Sequence, residues 1–162
     1  MADRTGSGSE HDGGKLRYVA GGLAIVVAMI HLLHPRLGAP RLLVHIQQGI
    51  LFDPRPLVFT ISGFLMIVGI LLVYQGVFVR QVYVAGVLLM LSFLFGYAAW
   101  HTVLDHGAFW PHIHGHGHDT GVVETIRIHL VDDTVALVSK LLEAILLAAL
   151  VVLYRMDTDS SR

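Results

Sequence analysis

Four stretches of the chain are almost unbroken in apolar residues, and the polar residues crowd between them. The first covers 18–34 and is stopped by Pro35, since proline cannot continue a helix. The others cover 57–74, 82–100 and 135–154. A helix of about 20 apolar residues crosses a bilayer core of about 30 Å and satisfies its own backbone there. The pattern therefore predicts four transmembrane spans, with Asp53-Pro54-Arg55-Pro56 introducing the second and only 75–81 turning the second into the third. Gly21, Gly22, Ala24 and Ala28 in span one are small enough to admit a neighbouring helix.

Two connecting segments keep a helical period. In 40–52, Leu42, Leu43, Ile46 and Ile50 fall on one side, and Arg41, His45 and Gln48 on another, which predicts an amphipathic helix at the membrane interface. In 122–134, Val122, Val123, Ile126 and Leu130 alternate with Glu124, Arg127 and His129. This segment is expected to continue into span four as one long helix starting after Thr120-Gly121. The fold expected is thus all-α: an integral membrane four-helix bundle over 18–155, with an interfacial helix between spans one and two and an N-terminal extension of span four. The polar, Gly- and Ser-bearing stretch 1–17 reads as a disordered tail, not a cleaved leader, and 156–162 as a short C-terminal tail.

Composition agrees with the pattern. Of 162 residues 54% are hydrophobic and 14% charged, and the mean hydropathy is +0.67, too little polar surface for a water-soluble globule. A net charge of −1 without a basic stripe excludes a nucleic-acid surface. The absence of cysteine excludes disulfides, thiolate metal sites and cysteine nucleophiles. Four spans place both termini on one side, where Lys15, Arg17, Arg80 and Arg155 also fall, with Arg4 and Arg162 in the tails; Arg36, Arg41, Arg55 and Arg127 fall on the other. The excess points to cytoplasmic termini.

Histidine changes the picture most. All of the 11 histidines except His11 fall on the side opposite the termini, the extracytoplasmic face in that orientation. His31 and His34 share a helical face at i,i+3, while His101 with Asp105, and His129 with Asp133, stand at i,i+4. If the ends of spans one, three and four converge, these six residues supply imidazole and carboxylate ligands for a divalent transition metal, zinc first, with iron, nickel or manganese also suited. Asp132 rivals Asp133, and either aspartate can instead orient a histidine ligand. His106, His112, His114, His116 and His118 alternate with glycine over much of their length. That loop resembles the His-rich loops of metal transporters, and the resemblance implies a flexible collector of metal; several imidazoles there would also titrate together near neutral pH.

Within span four, Lys140 and Glu143 stand at i,i+3. Ionisable groups at that depth mark either a structural ion pair or a relay for a proton or cation. Metal capture, transport or metal-assisted chemistry is therefore the leading functional expectation. Two others stand beside it: a b-type cytochrome holding haem between histidines, and a non-catalytic subunit of a homo-oligomer or larger membrane complex. The paired His-His boxes of membrane di-iron enzymes and the His-Glu-x-x-His of intramembrane metalloproteases are both missing.

Overall fold

A computed structural model of the chain describes residues 7–49, 53–104 and 121–160. They form six helices: α1 (Ser7–Leu33), α2 (Ala39–Gln48), α3 (Arg55–Tyr74), α4 (Val79–His101), α5 (Val122–Asp132) and α6 (Thr134–Ser160). By length and composition α1, α3, α4 and α6 can each cross a membrane. α1 lies against α3 and α6, and α4 against α6 and α3, so the bundle runs in the cyclic order α1, α3, α4, α6. This is the all-α, four-span bundle that the apolar pattern predicts.

The apolar core is a column of Ala20, Val27, Ala28, Met66, Tyr83, Met90, Leu146 and Leu153. Large apolar side chains such as Val26, Leu65, Leu88, Phe95 and Ile145 point outward, the arrangement expected where lipid replaces water as solvent. Hydroxyls within the spans bond back to their own helix: Thr60 donates to the Pro56 carbonyl (2.7 Å) and Ser92 to that of Leu88 (2.8 Å). α1 and α3 approach each other closely at Gly63. A Cβ on Gly63 would sit 2.5 Å from Leu32 Cγ and 3.1 Å from the Ala28 carbonyl oxygen. Ala28 takes part in this approach as expected, but Gly21 and Gly22 face open space, and Gly63 is the small residue that matters on the other side.

Three local readings are revised. α1 begins at Ser7, so much of the stretch read as a tail prolongs the first helix. Its start lies beside the end of α6, where Arg17 reaches Asp157 (3.5 Å). Next, α2 is helical and amphipathic as predicted, with its apolar face free to meet lipid, and the revision concerns His45 alone, which the period placed on the polar side with Arg41 and Gln48. Its apolar residues Leu43 and Ile46 are exposed, while His45 is buried. Gly49, at φ +67°, ends it in the left-handed conformation glycine adopts without cost.

The third revision concerns the extension of span four. It is present, but not as one continuous helix. Asp133 is extended (φ −114°, ψ 94°) and separates α5 from α6. Its carboxylate accepts the Ala136 N–H (3.0 Å), so it caps the N-terminus of α6. A helix start inside an otherwise periodic segment is what breaks the expected long helix.

Candidate functional site

The polar centre of the bundle is built on α6. Lys140 donates to Glu143 Oε2 at 2.6 Å, the i,i+3 pair the sequence implies. Glu143 has two further partners. Ser139 donates to Oε1 (2.9 Å), and His31 of α1 places Nε2 3.0 Å from the same oxygen. His31 and Glu143 are completely buried. The imidazole lies between Phe59 of α3 and Phe93 of α4, with ring centroids 4.8 and 4.3 Å away, and its Nδ1 lies 3.3 Å from Ser62 Oγ.

The hydrogen bonds limit where protons can be. Ser62 carries one hydroxyl hydrogen, and its oxygen lies 2.9 Å from the Phe59 carbonyl as well as 3.3 Å from His31 Nδ1. If the hydroxyl donates to Phe59, Nδ1 must donate to Ser62. A second proton must then lie between Nε2 and Glu143, since two lone pairs cannot face each other at 3.0 Å. If the hydroxyl turns to Nδ1, neutral His31 donates Nε2–H to the Glu143 carboxylate. Both arrangements satisfy every atom, with Lys140 charged in each. They differ by one proton and one hydroxyl rotation.

His31 is therefore not a partner of His34, as the i,i+3 spacing implies, and both its nitrogens are engaged within this centre. Glu143 lies about 14 Å along α6 from its first residue and His31 about 3 Å from the last residue of α1, at 1.5 Å per residue. They meet because α6 begins beyond the level at which α1 ends. That stagger belongs to the packing and leaves no mark on either segment alone. Ser62 and Ser139, which complete the centre, are equally unremarkable in the sequence.

Above the centre is a cavity of about 790 Å³ that reaches Ser139 and Lys140 at its inner end and His34, Arg36, Arg41 and His101 at its mouth. A second hollow of about 520 Å³ adjoins it, lined by His34, His101, His129, Asp132 and Asp133. The ends of spans one, three and four thus converge as expected. The imidazoles of His101 and His129 stack with centroids 4.4 Å apart, and Tyr97 lies 4.4 Å from His101 on another side. His129 Nδ1 donates to the Thr125 carbonyl (2.8 Å), which fixes the tautomer of the neutral ring. His34 Nδ1 accepts the Arg36 N–H (3.2 Å), which puts the ring hydrogen of neutral His34 on Nε2.

Among the described residues no group of three His, Asp or Glu is close enough to hold a metal ion. Of the six ligands expected, His34, His101, His129 and Asp133 share the vestibule, while His31 is diverted inward. Asp105, and the loop residues His106, His112, His114, His116 and His118, lie outside the described residues.

At the mouth of the cavity, Asp53 accepts both Nε and Nη2 of Arg55 (2.8 and 2.9 Å). Burial pushes the Asp53 carboxyl up, but the Arg55 hydrogen bonds and charge outweigh it and hold the group below its ordinary value. The Arg55 guanidinium also lies 4.2 Å over the Trp100 ring. Toward the termini the axis is closed by Val27, Met90 and Leu146, so the polar route opens on the vestibule side alone among the described residues. Comparison with family models, curated proteins and solved structures finds no match to this chain. Fold and site together define a multi-pass helical bundle with an ionisable centre buried on its axis and a polar vestibule above it.

Proposed function

We propose that this is a proton-handling membrane protein, in which the His31–Glu143–Lys140 centre takes up a proton from the vestibule and returns it. One observation carries this reading: a fully buried imidazole and carboxylate 3.0 Å apart, with Lys140 on the second carboxylate oxygen. Ionisable groups within a span are costly and by default functional. A lone ion pair between Lys140 and Glu143 would satisfy itself. The added His31 and Ser62 supply a proton-accepting group whose two states are both hydrogen-bonded. The cavity reaches Lys140 and Ser139, one hydrogen bond from Glu143. His31 is faced by Phe59 and Ser62 from α3, Phe93 from α4 and Glu143 from α6, so Glu143 is the charged group in direct contact with it. Infrared difference spectra of reconstituted protein between two pH values test this. A reversible change in imidazole and carboxyl bands that disappears in Glu143→Gln and in His31→Gln is expected. Bands that stay constant over the whole pH range in which the protein remains folded would end the proposal.

A second reading rests on the vestibule. His129 has its tautomer fixed by the Thr125 carbonyl, as metal-bound histidines commonly do, and His101 stacks on it beside His34 and Asp133. We infer a capture site for a divalent transition ion, zinc above all, on these residues. Cobalt(II) added to purified, tag-free protein reports the ligand set through its visible absorption. The expected histidine-type spectrum is lost in His101→Ala/His129→Ala. Unchanged, substoichiometric metal in wild type and variant would remove this reading and leave the proton centre untouched.

A further inference from the structure

The larger cavity has a chemistry that neither the proton centre nor a metal site uses. Its mouth carries Arg36 and Arg41, neither of which has a carboxylate partner among the described residues. The other cations lining it are already matched, Arg55 by Asp53 and Lys140 by Glu143. Asp133 is the remaining carboxylate on the wall, and it caps α6. Two guanidinium groups against one engaged carboxylate favour an anion at this end.

Below the mouth, and to one side of the inner end at Ser139 and Lys140, the wall is apolar and open sideways. Between α3 and α4 the wall is formed by Val58, Phe59, Ser92, Phe93, Gly96 and Trp100. Of these, Val58, Ser92 and Gly96 are exposed, so the seam between α3 and α4 is not closed over the cavity. A Cβ on Gly96 would meet nothing within 4 Å, so the seam is slack there. Ser92 gives its hydroxyl to its own helix and asks nothing polar of a ligand. The cavity thus joins a cationic mouth at the membrane surface to an apolar slot reachable from within the bilayer. At about 790 Å³ it falls in the size range of small-molecule sites, about 300–1,000 Å³.

We propose that this cavity binds a membrane-borne amphiphile with a single oxyanion head, carboxylate or phosphate, and an apolar chain. The head lies between Arg36 and Arg41, and the chain leaves through the α3–α4 slot past Gly96. Trp100 lines the path, so a chain that enters will contact its ring. The inference stands on the cavity and does not depend on proton uptake at His31.

Contact quenching tests it. The chain has two tryptophans, and Trp110→Phe leaves Trp100 as the single reporter. Dibromostearate should quench Trp100 saturably in detergent-solubilised protein, whereas its methyl ester, which partitions into the same micelles without a charge, should not. Losing a charge-assisted hydrogen bond costs roughly tenfold or more in affinity, so Arg36→Gln/Arg41→Gln should weaken the quenching by at least that factor. Gly96→Phe, which fills the slot and leaves the arginines, should abolish it. Lysophosphatidic acid should displace dibromostearate at concentrations where inorganic phosphate does not. Equal quenching by the ester, or full displacement by inorganic phosphate at the same concentration, would overturn the proposal. So would unchanged binding in either variant, each checked for unaltered helicity and elution. Should the double arginine variant not fold, Gly96→Phe and the ester comparison decide the matter alone.

Discussion

Removing the charge pair in the bundle interior from one side should be far more damaging than removing it from both. Lys140 Nζ and Glu143 Oε2 lie 2.6 Å apart, a separation at which two unit charges attract by roughly 6 kcal/mol at an effective dielectric constant of about 20. Most of that attraction offsets the cost of taking both charges out of water. Truncating one partner leaves the other exposed to that cost, about 3–5 kcal/mol for a buried pair. Glu143→Leu also takes the partner from His31 Nε2 and from the Ser139 hydroxyl, both in fully or nearly fully buried positions, for a further loss of about 1–3 kcal/mol. Lys140→Met is expected to be milder than Glu143→Leu. Glu143 then keeps Ser139 and His31, and an imidazolium can replace the ammonium as counter-charge. In the double variant Lys140→Met/Glu143→Leu no charge remains uncompensated, and replacing a buried pair by apolar residues is often near neutral. The double variant should therefore be less destabilised than Glu143→Leu alone, with a coupling energy of about 2–3 kcal/mol, near the upper end of the usual range. Reversible unfolding in mixed micelles, run on all four proteins, measures the cycle. Additive losses would refute the claim that Lys140 and Glu143 hold each other inside the bundle. A Lys140→Met as damaging as Glu143→Leu would refute the role assigned to His31.

Other expectations are more local. Asp133→Ala should cost about 1 kcal/mol by removing the cap from α6, while Asp133→Asn should retain most of it; thermal unfolding separates the two. Gly63→Ala should destabilise by about 1–3 kcal/mol because its Cβ would overlap Leu32, and Leu32→Ala should partly restore the double variant in the same assay. Because Asp53 has its carboxyl held below 3.8 by Arg55, its contribution is present above that value and is lost as pH falls through its lower folded value. Asp53→Asn should flatten the acid limb of a stability-versus-pH curve below 3.8 and leave the neutral plateau with the same shape.

The spans were legible because a bilayer demands long apolar runs, and little else in a protein of this size requires four of them. The gathering of His34, His101, His129 and Asp133 around one hollow was legible too, since a four-span bundle forces the ends of spans one, three and four to one side of the membrane. The partner of His31 was not. Counting along α1 pairs it with His34, and only the stagger of α6 against α1 brings Glu143 to it. The break before span four could have been read: Asp133-Thr134 is a helix-start signal, but the apolar period running through it from Val122 masked the cap. On α2 the period located the helix and its two faces correctly. The preference of His45 for the bundle over water depends on neighbours that the period does not contain.

The interruption at Asp133 has a mechanical consequence. In an unbroken helix, one residue inserted or deleted near Val122 would rotate everything after it by about 100° and turn Lys140 and Glu143 away from His31. One extended residue with its own cap resets the phase of α6. α5 can therefore change in length, tilt or sequence while the angular setting of the buried centre stays where the bundle put it.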